Sequence, residues 1–317
     1  MGLISFAGVY FAFKGENLGE IIHQIKQVSV MQFWLACFLI TTSCIVRAYR
    51  WQLIMDPVER IPLYDVFAAT MVGYFGNGVL AFRLGELLRA YSVTTGRKMS
   101  TSQAFGTVIL ERILDMLMVV LVFILTIPWF PFEQDVIRYG LIGFSAVTLI
   151  LLVAVFISSK IDLIKKMGSW SLFQSGLGMK IFSIIDKIFE GVTLIKKTNH
   201  FGMILFTSVL LWSFYFVVTF IVLNACGVPL GLIGTGILLV LGSVAIGIPA
   251  LPGSAGTYDA GIKFSLMVVF GIASDQALTY AIVSHAVSYF PLTLVGAIFF
   301  LLGSVSLKDV KQESINQ

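Results

Sequence analysis

Apolar residues run along this chain in stretches near the length of a bilayer crossing, separated by short loops that carry charge, glycine or proline. Full spans are predicted at roughly 31–54, 103–129, 136–158, 201–224 and 277–303. The opening "MGLISFAGVYFAFKG" reads as a short first span or half-span, which brings the count to about six. Two regions break the pattern. Over 63–95, "VFAATMVGYFGNGVLAF" runs into "RLGELLRAYSV"; over 232–270, an apolar arm meets "PALPGSAGTYD" and a second arm follows. In both, the arms are marginal or short for a crossing, so each region predicts a re-entrant hairpin or a broken-helix pair.

The expected fold class is therefore all-α: a polytopic membrane protein forming one integral domain. A first unit covers about 31–158, an amphipathic cytoplasmic segment about 160–200, a second unit about 201–303, and a short cytoplasmic tail 304–317. Within the amphipathic segment, Ile181, Ile184, Ile185, Ile188, Val192 and Ile195 fall at helical spacing with lysines opposite. Two readings fit: a helix lying on the cytoplasmic leaflet, or a helix packed on the protein itself.

Composition agrees. Of 317 residues, 58% are hydrophobic and 12% charged, with mean hydropathy +0.95. A soluble domain carries about 25% charged residues, so little room remains for a soluble catalytic module. Charge placement sets an orientation. Arg47, Arg50, Arg60, Arg97, Lys98 and the lysines of the 159–200 segment flank one set of loops, together with Lys308 and Lys311 in the tail. The loops 130–135, 225–231 and 271–275 have neither lysine nor arginine. The basic face is predicted to be cytoplasmic. Hairpins and paired full spans give the same parity, so charge does not separate them. Cys37, Cys44 and Cys226 read as small hydrophobes, and the three histidines lack metal-ligand spacing. No metal, cofactor or nucleic-acid partner is expected.

The two interruptions carry the chemistry. Irregular backbone at membrane depth survives only where protein buries it or a wet cavity receives it. After Pro252, Gly253 and Gly256 permit close approach to the backbone, Ser254 or Thr257 can cap the following arm, and the freed N–H groups suit an anion such as phosphate. A simple packing kink is the alternative. In the first break, Arg83, Glu86 and Arg89 are spaced by three; in "ERILDM", Glu111 and Asp115 are four apart and Arg112 reaches Asp115. These six ionisable groups suit either a polar cavity or a structural ion-pair network. Arg47 and Arg50, near a cytoplasmic span end, snorkel or hold a lipid headgroup. Asp259, Lys263 and His285 are further candidates to line the second break.

In order and separation, "FGNGVLAFRLGELLRAY", "ERILD" and "PALPGSAGTYD" resemble the lysylphosphatidylglycerol synthetase transmembrane family, whose members are often called flippase-like domain proteins. Arg83, Gly85, Glu86, Arg89, Glu111, Arg112, Asp115, Pro252, Gly253 and Gly256 fall on its motifs. The resemblance implies a multi-pass protein of a bacterial or archaeal plasma membrane. In its best-known members this region moves an aminoacylated phospholipid between leaflets; other relatives are attached to glycosyltransferases or associated with polyprenyl-linked or hopanoid lipids. The namesake enzymes also carry a soluble aminoacyl transferase domain. The expectation here is a stand-alone membrane region without it, hence not the synthetase. No DxD pair, phosphatase signature or GxSxG elbow is present, so no catalytic residue is expected. The favoured function is a lipid transporter for an anionic headgroup; a membrane enzyme, or a partner of a separate lipid-modifying enzyme, is the alternative.

Overall fold

A computed structural model describes residues 2–130, 135–157, 176–247 and 252–304. Every regular element among them is helical. In chain order these are α1 (Gly2–Phe13), α2 (Leu18–Gln27), α3 (Val30–Met55), α4 (Leu63–Val79), α5 (Gly85–Thr94), α6 (Thr101–Thr126), α7 (Asp135–Ile157), α8 (Gly176–Thr193), α9 (Phe201–Ala225), α10 (Gly231–Gly247), α11 (Thr257–Phe270) and α12 (Ser274–Phe299). The chain is an all-α polytopic membrane protein. By length and hydropathy, α3, α9 and the 30-residue run of α12 to Gly303 are long and apolar enough to cross a membrane. At 26 residues α6 is as long as α3, but Glu111, Arg112 and Asp115 interrupt its middle. At 12 residues, about 18 Å, α1 is no more than a half-span.

Local signals set the helix ends. Asn17 accepts from the N–H of Gly19 at 3.0 Å and starts α2; Ser100 accepts from Gln103 N–H at 3.3 Å and starts α6. After α11, Gly271 turns left-handed at φ 64°, and the N–H groups of Gly271 and Ile272 close on Met267 and Leu266.

The bundle has two distinct ends. At one, Arg97 pairs with Asp65 at 2.5 Å, Lys98 N–H bonds Glu59 at 2.9 Å and His200 meets Asp56 at 3.2 Å. This end gathers the loops after α3, α5 and α8, with Arg60, Arg97, Lys98, Lys196 and Lys197 in them. At the other end, Gln276 donates to Gly227 O at 2.9 Å and Ser29 N–H bonds Ala225 O. Among the described residues, Arg60, Arg97, Lys98, Lys196 and Lys197 of the predicted basic set thus gather at the first of these ends.

Each interruption is a helical hairpin that returns to the end where it began. Asp65 near the start of α4 pairs with Arg97 just beyond α5, while Gly234 near the start of α10 lies against Phe270 at the end of α11. The first hairpin closes on glycine: a side chain on Gly85 would run into the backbone of Gly73 and Asn77, and one on Gly76 into Gly85. The tips at 81–83 and 252–254 touch one another. Tyr289, in the body of α12, bonds the first tip through Gly78 O at 3.0 Å and packs its ring on Gly253 of the second.

The amphipathic segment packs on the protein. Gly106 of α6 and Gly191 of α8 let these two helices meet backbone to backbone, and Val192 is buried at the seam. Met179, Ile181 and Ile184 stay exposed on the far side. The first part of that segment, the 131–134 loop and the tail beyond 304 lie outside the described residues.

Candidate functional site

A cavity of about 220 Å³ opens between the two tips. Tyr74, Asn77 and Gly78 from α4, Arg83 from the first tip, Arg112 from α6, Gly253 and Ser254 from the second tip, Tyr258 from α11, and His285, Ser288 and Tyr289 from α12 form its wall. The backbone at each tip is unusual in the same way. Phe82 and Arg83 are left-handed at φ 60° and 54°; Gly253 and Ser254 are left-handed at φ 69° and 59°. In both, the second left-handed residue precedes a glycine by two positions, Gly85 or Gly256, and the glycine opens the return helix. Three of these four left-handed residues are not special for lacking a side chain, so the neighbours must hold the turn.

The sequence-predicted residues divide into two sets. Five charges form a buried cluster beside the cavity, and Arg112 of the cavity wall comes within 3.9 Å of Asp115, as their i,i+3 spacing predicts. Arg50 donates to Asp115 at 2.8 Å and Ser208 at 3.1 Å, and lies 3.4 Å from Glu111. Arg47 donates to Asp115 at 2.9 Å and to the Tyr215 hydroxyl at 3.0 Å. Arg89 reaches Glu111 at 2.6 Å and stacks its guanidinium 3.7 Å over Trp51. Arg50 is 0% exposed and Glu111 1%. This corrects two expectations. Arg47 and Arg50 do not sit at an exposed span end, because α3 continues to Met55 and carries them, buried, into the bundle. Arg89, Glu111 and Asp115 do not line the cavity; they bind α3, α5 and α6 together. Three guanidinium groups face two carboxylates, so the cluster holds one excess positive charge.

The second set faces the cavity. Arg112 donates through Nε and Nη2 to Glu86 at 2.8 and 2.5 Å, with its side chain 41% exposed. The i,i+3 partnership expected of Glu86 with Arg83 and Arg89 is replaced by this link between helices. Arg83 donates to the carbonyl of Ile246 across the tips. Among the described residues no carboxylate pairs with it. With Glu86 cancelling Arg112, the cavity mouth is net positive and favours an anion.

The second break departs from expectation. Its helix start is not an open seat for an anion. Asp259 accepts the Gly256 N–H at 3.0 Å, and Gly8 of α1 lies against the Gly256 backbone. Neither Ser254 nor Thr257 caps α11; Thr257 donates its hydroxyl back to Ser254 O at 3.2 Å. Pro252 opens the short 3-10 turn. Lys263 points away from the cavity and pairs with Glu16 at 2.6 Å and Ala12 O at 2.6 Å, fastening α1 to α11. His285 lines the cavity and bonds both Asp259 at 2.8 Å and Gly253 O at 2.9 Å.

Sequence reading missed the neutral wall. Tyr74, Asn77, Ser288 and Tyr289 lie among apolar neighbours in the sequence, where no single residue stands out. A signal exists: His285, Ser288, Tyr289 and Thr293 repeat at three- and four-residue spacing in an otherwise apolar helix, a polar stripe. A larger cavity, about 620 Å³, opens at the bundle end between α2, α9 and α12 among Glu20, His23, Gln24 and Asp275. It holds none of the predicted residues. Among the described residues no cluster of His, Cys, Asp and Glu is fit to hold a metal.

The sequence has counterparts among known proteins. Residues 2–296 match the family described as the lysylphosphatidylglycerol synthase TM region. The chain belongs to this family. Two relatives, both described as UPF0104 membrane proteins of Methanothermobacter thermautotrophicus, are 23% identical over 92% of this chain and 91% of theirs, and 24% identical over 89% and 86%. Glycosyltransferase AglD of Haloferax volcanii is 24% identical over 78% of this chain, and that stretch makes up 44% of AglD. The family and the AglD likeness give the chain a membrane, lipid-related setting.

Proposed function

We propose that this protein is a lipid transporter rather than an enzyme, a flippase that passes the anionic headgroup of a phospholipid or polyprenyl-linked lipid between leaflets. The observation that carries this reading is the cavity between the two hairpin tips, with Arg83 and Arg112 in its wall. The hairpins are re-entrant, one from each face. At 10 residues, about 15 Å, α5 spans half of a ~30 Å hydrocarbon core. The sets α3–α4–α5–α6 and α9–α10–α11–α12 then form an inverted repeat, an architecture that suits alternating access at the bilayer midplane. Arg83 contacts the headgroup phosphate, and Arg112 turns to it from Glu86. The acyl chains stay in lipid beside the exposed apolar side chains of Val79, Leu80 and Phe82. The basic end, and with it the C-terminus, faces the cytoplasm of a bacterial or archaeal cell.

The test is leaflet exchange in liposomes containing purified protein, with labelled phosphatidylglycerol, its lysyl form and a polyprenyl phosphate. The expected result is accelerated exchange of one of them, lost in a folded Arg83→Ala variant and partly kept in Arg83→Lys. Folded wild-type protein that accelerates none of the three would overturn the reading.

One observation favours a second role alongside the first: the likeness to Glycosyltransferase AglD covers 44% of that protein and leaves more than half of it outside. The exposed face of α8 then docks a separate lipid-modifying enzyme. Charged substitutions at Ile181 and Ile184 are expected to release such an enzyme on co-purification while leaving lipid exchange intact.

A further inference from the structure

His285 is bonded on both sides of its ring. Nε2 faces the carbonyl of Gly253 at 2.9 Å, and a carbonyl only accepts, so Nε2 carries a hydrogen. Nδ1 faces Asp259 Oδ1 at 2.8 Å. That bond needs its own hydrogen, held by the ring or by the carboxyl. Either way the pair holds two protons. Asp259 Oδ2 already accepts from Gly256 N–H at 3.0 Å, and Asp259 sits in the first turn of α11, where the helix dipole favours negative charge. The carboxylate is therefore the ionised member and the ring an imidazolium.

With one proton lost, a single hydrogen serves two bonds. That hydrogen stays on Nδ1 against the charged Asp259 carboxylate, the stronger of the two bonds, so Nε2 turns a lone pair toward the Gly253 carbonyl and that contact opens. The bond at stake crosses the second break, where Ser254 is held left-handed. Gly253 also carries the ring of Tyr289, whose hydroxyl reaches Gly78 of the first tip. The titratable and charged groups around His285 are Asp259 and Tyr258 from α11 and Tyr289 from its own helix, with Tyr74, Arg83 and Arg112 across the cavity.

We propose that the His285–Asp259 pair is a proton-binding site: two protons pin the second break to α12 and close the tips, and release of one proton to cavity water frees the break. This deepens the transport reading and rests on it for its consequence, a proton-controlled gate. The proton count rests on the bonds alone.

One substitution separates the proton from the bond. In Asp259→Asn, the amide oxygen still accepts from Gly256 and the amide nitrogen donates to Nδ1. A neutral ring then keeps its Nε2–H on Gly253 at every pH. The experiment uses the full chain in lipid nanodiscs, with His23 and His200 replaced by Gln and the remaining histidine 15N-labelled, over about pH 5 to 9. The ring is expected to be doubly protonated at the acidic end and to lose one proton as pH rises. Amide exchange of residues 252–259, normalised to the intrinsic rate, is expected to rise about tenfold or more over the same range, as the bond's protection is lost. In Asp259→Asn the ring is expected to be neutral throughout and the exchange low and flat. A neutral ring at the acidic end, or wild-type exchange that tracks Asp259→Asn, overturns the proposal. Neither readout needs transport: a proton site without lipid exchange sinks the transport reading alone, and lipid exchange with a pH-insensitive break sinks this proposal alone.

Discussion

Glu111 lies within ion-pair reach of Arg47, Arg50 and Arg89, whereas Arg83 bonds a carbonyl at the edge of a cavity. Their replacements should fail in different ways. Glu111→Gln leaves the buried Arg89 without its counter-charge and Arg47 and Arg50 with Asp115 alone, and breaking a buried pair in this manner costs about 3–5 kcal/mol. The expected outcome is a large drop in melting temperature in detergent. Arg83→Ala removes an exposed side chain, so stability should stay within about 0.5 kcal/mol of wild type while lipid exchange is lost. Equal loss of stability in both would place Arg83 in the structural network. Sequence alone named both residues but not their separate roles. Membership in the cluster depends on which helices face which, and Ser208 and Tyr215, which complete it, lie far along the chain on α9.

Among the elements, the two broken helices were the most legible. The regions 63–95 and 232–270 became the paired helices Leu63–Val79 with Gly85–Thr94 and Gly231–Gly247 with Thr257–Phe270, because glycine, proline and charge cannot be hidden inside an apolar run. What the pattern did not disclose is where those hairpins are fastened. The seam in the first is glycine on glycine: Gly85→Ala pushes a methyl into Gly73 and Asn77 and should cost about 1–3 kcal/mol as overpacking, read as a lowered melting temperature. The second is fastened by α1 through Lys263 and Glu16. Burial raises the Glu16 carboxyl, but the hydrogen bonds from Lys263 and Ser274 and the Lys263 charge outweigh it and hold it below its ordinary 4.5. A carboxyl lowered on folding contributes stability above its unfolded value and loses it as pH falls through the folded value. Acidification below about pH 4.5 should therefore loosen α1, seen as faster amide exchange in residues 8–16, and Glu16→Gln should show that faster exchange already at neutral pH.

At the scale of the whole molecule, Arg60, Arg97, Lys98, Lys196 and Lys197 of the predicted basic set share one end of the bundle among the described residues, yet that parity holds equally for hairpins and for paired full spans. Only the depth of the tips separates the two in a bilayer. Phe82 is 68% exposed at the first tip, a natural side chain to present to lipid tails. In a cysteine-free background, a cysteine at Arg60 or Thr95, beyond the two ends of the first hairpin, should react with a membrane-impermeant maleimide from the cytoplasmic side of oriented vesicles. One at Gly227 or Ile272, beyond the ends of the second, should react from the opposite side. Phe82→Cys should react from neither until the membrane is dissolved, because a tip at the midplane meets no bulk water. Labelling of Phe82→Cys from the outer face would mean that α4 and α5 cross the bilayer completely. The two tips would then meet at a surface, and the cavity between Arg83 and His285 would be a vestibule rather than a midpoint of passage.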